Sequence, residues 1–176
     1  IAFESMMLAA ALGGVLGSAY SKSLLVGLLC GVALSVIFAM LFGIFVLVLK
    51  ANNMLVSLAL NTLGSGGTVF ILYAFTGDRG SSTSIQSLQF PAVNIPIIED
   101  IPVLGSILSG HNVLTYAALV SVPLVYLLLM KTPLGLRIRA VGENEHAAES
   151  LGTSALKTRF TALLLAGIFA GLAGMY

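Results

Sequence analysis

The sequence predicts an all-α, polytopic transmembrane helical bundle, and three observations carry that reading. Charged residues make up 9% of the chain and hydrophobic residues 58%, where an ordinary soluble domain carries about 25% charge. The apolar residues gather into five uncharged segments, each near the ~20 residues that cross a hydrocarbon core as a helix. The charges gather between them. The stretch Lys131–Arg159 holds Lys131, Arg137, Arg139, Lys157 and Arg159 together with Glu143, Glu145 and Glu149. Residues 1–176 read as a single transmembrane domain. Ile1 is not a Met and Tyr176 lies inside apolar sequence, so both ends read as internal to a longer polypeptide.

The elements follow in order. Ser5–Ser21 is a short first span. Ser23–Leu49 is long enough to cross with tilt or a break. Met54–Phe75 is the third span, and Gly64, Gly66 and Gly67 crowd its middle. Each costs a helix about 1 kcal/mol relative to Ala, so at least one discontinuous span is expected here, its break lining a cavity. Val113–Met130 contains Pro123, which predicts a kink. Phe160–Tyr176 carries Gly167, Gly171 and Gly174, small residues that let helices approach closely in lipid.

Orientation comes from the basic residues. A basic loop between two spans marks the cytoplasmic face, so residues 131–159 are placed inside. Alternation then puts Lys50 inside and Lys22 and Arg79 outside. Residues 76–111 become the external connection. Gly, Ser and Thr over Gly77–Ser87 read as loop, and Ile101–Leu108 reads as a short interfacial helix.

The loop has helix signals of its own. Thr132-Pro133-Leu134-Gly135 stops the preceding span. Asn144 is a favourable N-cap, Glu145 suits the first turn, and Gly152 fits a C-terminal cap. Thr153 or Ser154 caps the next span. Ala147, Ala148 and Leu151 share an apolar face. A helix of about two turns is marginal alone in water and needs a surface to lie on. A cytosolic partner and the lipid headgroups both supply one.

Polar residues within the spans are candidates for function. A carboxylate at membrane depth is costly and marks a pathway by default. Glu4 is either such a carboxylate or a helix-end group in water. Asn61 lies within its apolar segment and needs a hydrogen-bond partner, on another helix or on a substrate. Cys30 can form no internal disulfide and reads as a small buried apolar side chain. His111 and His146 are too far apart to pair on a metal. No nucleophile–base triad, phosphate-binding glycine loop or CxxC occurs, so neither an enzyme active site nor a cofactor is expected. The net charge of +1, with basic residues at span ends, gives no reason to expect a nucleic-acid partner.

TPLGLRIRAVGENEHAAESLG, followed by a span ending LAGIFAGLAGMY, resembles the permease subunits of ABC importers of the branched-chain amino acid, ribose and simple-sugar type. Those subunits carry GLRLRAVGENPxAAxxxG and then a helix ending in AGLAG. ANNMLVSLALNTLGSG is similar to NQVVSGLALNLLGSG of the nucleoside and simple-sugar subgroup, and FESMMLAAALGG to its GLEGMMLMGAFFG. Ser5 and Ser57 stand where the subgroup has Gly, and Glu145 where it has Pro.

The resemblance implies a permease domain in a bacterial or archaeal plasma membrane, passing a nucleoside or simple sugar. The alternatives are a branched-chain amino acid permease and, in another class, a secondary transporter. Implied partners are cytosolic ATPase subunits, a second permease subunit, an extracytoplasmic solute-binding protein and membrane lipid. The chain itself is then non-catalytic. The short loop helix becomes the coupling helix, with Gly135, Arg137, Arg139, Glu143, Asn144, Ala147, Ala148 and Gly152 as its matching residues. Glu4, Asn61, Gly64, Gly66 and Gly67 become the candidate pathway.

Overall fold

The computed structural model describes residues 2–77, 92–93 and 111–176. The fold is all-α. Among the described residues, five helices are long and apolar enough to cross a membrane: α1 (Phe3–Ser21), α2 (Leu24–Gly43, continued by a π-helical turn to Val48), α3 (Asn53–Thr76), α4 (Val113–Lys131) and α7 (Ala155–Gly174). Two shorter helices, α5 (Pro133–Glu143) and α6 (Glu145–Ser150), join α4 to α7. The residue pairs β1 (Ala92–Val93) and β2 (His111–Asn112) form an antiparallel ladder ahead of α4. The expected helix over Ile101–Leu108 lies outside the described residues.

Local chemistry explains where the helices begin and end. Asn52, Asn112, Thr132, Asn144 and Ser154 each turn a side-chain oxygen back to a first-turn N–H, satisfying a donor that the helix leaves open. Gly77 and Gly152 take left-handed φ values of 75° and 83°, the conformation that commonly ends helices.

The packed centre is α1, α2 and α7, with α3 laid against α1. Small residues set its closeness. A Cβ added at Gly31 would come within 2.7 Å of the Ala10 carbonyl oxygen, and one at Gly171 within 3.0 Å of the Val32 Cα. Van der Waals contact of this kind holds helices together where lipid is as apolar as the side chains. The buried Ser35 hydroxyl donates to the Gly167 carbonyl at 2.7 Å, a bond across α2 and α7. Ala2, Met6, Ala39, Leu60 and Ala170 form the core where α1, α2, α3 and α7 meet.

Several expectations need correction. No break occurs at Gly64–Gly67: α3 runs unbroken from Asn53 to Thr76. Breaking it in lipid would strand backbone donors and acceptors, at several kcal/mol each, more than the glycines cost. The irregularity lies instead at the end of α2, where the Leu49 N–H reaches the Ile44 carbonyl at 3.0 Å in a π turn. The last span begins at Ala155 rather than Phe160, so Lys157 and Arg159 lie on it. Cys30 is exposed rather than buried. It sits in the apolar run of α2 with its side chain beside Gly17 of α1.

Candidate functional site

Two places collect the candidate residues. The first is the crossing of α1 and α3. The Asn61 side-chain oxygen accepts the N–H of Ser5 at 3.2 Å, tying the first turn of α1 to the middle of α3. Ser5 is fully buried, and its hydroxyl donates to the Ala2 carbonyl at 2.8 Å. Gly64 lies one turn beyond Asn61. A Cβ there would fall 2.7 Å from the Ser5 Cβ and 2.8 Å from its Cα. The serine that replaces the subgroup's glycine is thus accommodated by a glycine opposite.

This crossing sets the level of Glu4. Asn61 is about 12 Å along α3 from Asn53 at 1.5 Å per residue, so the first turn of α1 crosses α3 at that height. Glu4 precedes Ser5 and lies in the first turn of α1, exposed at the surface of the described residues. The structure therefore brings Glu4, Asn61 and Gly64 to one region. It separates Gly66 and Gly67, which have nothing within 4 Å of an added Cβ.

The second place is the loop. Thr132 is the N-cap of α5 and Pro133 its first residue. The tetrapeptide read as a stop is therefore also a start, because Pro suits the first helical turn. Gly135 is buried against the backbone of Leu128 and Leu129. Only a residue without Cβ lets α5 fold back on the last turn of α4.

Asn144 then caps α6, accepting the Ala147 N–H at 3.1 Å. The C-terminal bonds run from the Gly152 N–H to the Glu149 carbonyl at 2.9 Å and from the Thr153 N–H to the Ala148 carbonyl at 3.1 Å. Val141 of α5, Ala148 of α6 and Ala155 of α7 are buried together. Ala148 thus faces inward, which corrects its place on an outward apolar face. Ala147 is exposed, and Leu151 at the end of α6 is 86% exposed. Arg137, Arg139 and Glu143 are exposed on α5.

Sequence reasoning missed Arg159. Its guanidinium meets the Glu145 carboxylate at 2.7 Å and links α6 to α7. The signal was available, since Glu145 is the residue that departs from the subgroup's Pro. Both side chains are about 40% exposed, so screening limits the pair to under ~1 kcal/mol. Among the described residues, no cluster of His, Cys, Asp and Glu has the make-up of a metal site.

The fold and the loop together define a polytopic membrane protein with a structured helical element on one face. The chain belongs to the family described as branched-chain amino acid transport system / permease component, whose model matches residues 1–176. It is 34% identical to the "Putative glucose ABC transporter permease protein TsgC13" of Haloferax volcanii, over 98% of this chain and 52% of that protein. It is 31% identical to the guanosine ABC transporter permease protein NupQ of Bacillus subtilis, over 98% of this chain and 53% of that protein. It is 29% identical to the nucleoside ABC transporter permease protein NupC of Lactococcus lactis subsp. cremoris, over 98% of this chain and 53% of that protein. The chain spans about half the length of these relatives. No solved structure matches. Membership of this family and five apolar helices make it a multi-pass protein of a prokaryotic plasma membrane.

Proposed function

We propose that this chain is part of the translocation path of an ATP-driven importer for a nucleoside or simple sugar. In this reading α6 couples the path to a cytosolic ATPase. The observation that supports it is the mounting of α6. A helix of six residues, too short to stand alone, is capped at both ends, buried on one side against α5 and α7, and left bare on the other. Leu151 is the apolar residue it offers. ATP hydrolysis belongs to the partner, and this chain performs no catalysis. A second permease subunit and an extracytoplasmic solute-binding protein complete the assembly.

The solute class follows the relatives, which are named for glucose, guanosine and nucleosides. A branched-chain amino acid is the second reading, because the family's description names it. Equilibrium binding of both solute classes to the purified binding protein separates them.

Coupling is tested with the full-length permease in its complex. Cys30 is the single cysteine of residues 1–176, so a full-length permease with Cys30 and any cysteine beyond these residues replaced by Ser, and carrying Leu151→Cys, places one thiol on α6. A short bifunctional cross-linker is expected to join it to the ATPase, and ATP is expected to change the yield. Cross-linking to lipid alone, or equally well from a thiol at Lys22, overturns the assignment.

A further inference from the structure

The loop side of the molecule holds a second concavity that docking of α6 leaves unused. A cleft of about 150 Å³ lies between α5 and the first two turns of α7, lined by Leu134, Arg137, Lys157, Thr158 and Thr161. Its charge is uncompensated. Arg137 and Lys157 are both exposed, and among the described residues neither has an ion pair; Glu145 is taken by Arg159. No carboxylate lines the cleft.

The two threonines refine what can enter. The Thr158 hydroxyl donates to the Ser154 carbonyl at 2.9 Å, and the Thr161 hydroxyl to the Thr158 carbonyl at 2.8 Å. Their protons are committed, so they present acceptor oxygens, and the two cations must hold any anion. Leu134 adds an apolar wall. Depth decides between an aqueous anion and a lipid. Lys157 and Thr158 belong to the charged end of α7, while from Phe160 onward α7 carries no charge. The cleft straddles that boundary, where phospholipid phosphates lie and basic pockets between helices hold headgroups.

We infer that the α5–α7 cleft binds the phosphate headgroup of an anionic phospholipid from the leaflet on the loop's side. The phosphate sits on Arg137 and Lys157. Headgroup hydroxyls, such as those of phosphatidylglycerol, meet the threonine oxygens, and the acyl chains follow the apolar face of α7. The consequence is mechanical: a bound lipid pins α5 to α7 beside the mounting of α6. The inference rests on membrane insertion and not on the ATPase assignment, so either can fail alone.

Native mass spectrometry of the full-length permease, delipidated and then offered phosphatidylglycerol and phosphatidylcholine in equal amounts, reads the site. Preferential retention of phosphatidylglycerol is expected. Arg137→Gln and Lys157→Gln are each expected to weaken it about fivefold, from roughly one basic residue's contribution at an anionic surface. Arg137→Lys and Lys157→Arg should retain most of it, and Lys22→Gln all of it. Equal retention of the two lipids by the wild type overturns the site, independently of whether any variant folds. So does undiminished phosphatidylglycerol binding in the double Gln variant. Displacement by inorganic phosphate as effective as by the lipid headgroup assigns the cleft to a free anion and overturns the lipid claim. Loss of ATPase binding with lipid retention intact assigns it to the protein partner and does the same.

Discussion

At the scale of single residues, Asn61 carries the sharpest consequence. Its carbonyl oxygen is used by Ser5, so its first role is to join two helices. Asn61→Leu would leave a backbone N–H without its acceptor in an apolar setting, a loss of about 1–3 kcal/mol. A lower thermal midpoint of the purified protein is the expected outcome. If Asn61 also touches the solute through its amide N–H groups, uptake affinity falls as well. Unchanged affinity in correctly inserted protein removes it from the path and leaves the structural role. Sequence reading reached the need for a partner but not the partner, because the bond joins residues 56 positions apart. Asn144 was legible in full, since a cap bonds its own neighbours. Ala148 was legible as small and helical but not as inward, which depends on where Val141 and Ala155 lie.

At the scale of elements, α3 separates two uses of glycine. Gly64 is a contact: Gly64→Ala drives a Cβ into Ser5, and such overpacking costs about 1–3 kcal/mol. Gly66 and Gly67 touch nothing described, so Ala at either site is expected to stabilise α3 by about 1 kcal/mol through helix propensity alone. Thermal unfolding of the three single variants checks the split. A stable Gly66→Ala protein that no longer transports would place Gly66 on the path, while full transport would take it off.

The spans were legible because an apolar run of fixed length is a local property. The helix α5 was not, because Pro133 and Gly135 carry the same local signal for a stop and for a tight restart. What distinguishes them is the backbone of α4 packed against Gly135. Gly135→Ala is accordingly expected to displace α5 and with it α6. Stimulation of the partner's ATPase activity by solute-loaded binding protein should then be lost, while membrane insertion persists. Retained stimulation would show that the α4–α5 turn has slack.

At the scale of the whole molecule, orientation ties the two candidate sites together. Four segments alternate across the spans: the α1–α2 turn with Lys22, the α2–α3 turn with Lys50, the α3–α4 connection with Arg79, and the α4–α7 loop. Placing the last inside gathers Lys50, Lys131, Arg137, Arg139, Lys157 and Arg159 on one side and leaves Lys22 and Arg79 on the other. The positive-inside rule favours that arrangement, and it is also the one that lets α6 reach a cytosolic partner. The two requirements are independent, since one comes from insertion and the other from docking. A test needs one thiol on each face of the described structure. Lys22 is exposed between α1 and α2, and Gly142 is exposed with nothing near an added Cβ. With Cys30 and any cysteine beyond residues 1–176 replaced by Ser, Lys22→Cys should react with a membrane-impermeant maleimide in intact cells, and Gly142→Cys only after permeabilisation. The opposite pattern would place the loop outside and remove the ATPase from α6. It would leave the Ser5–Asn61 crossing untouched, because that contact is fixed by packing and not by which side of the membrane it faces.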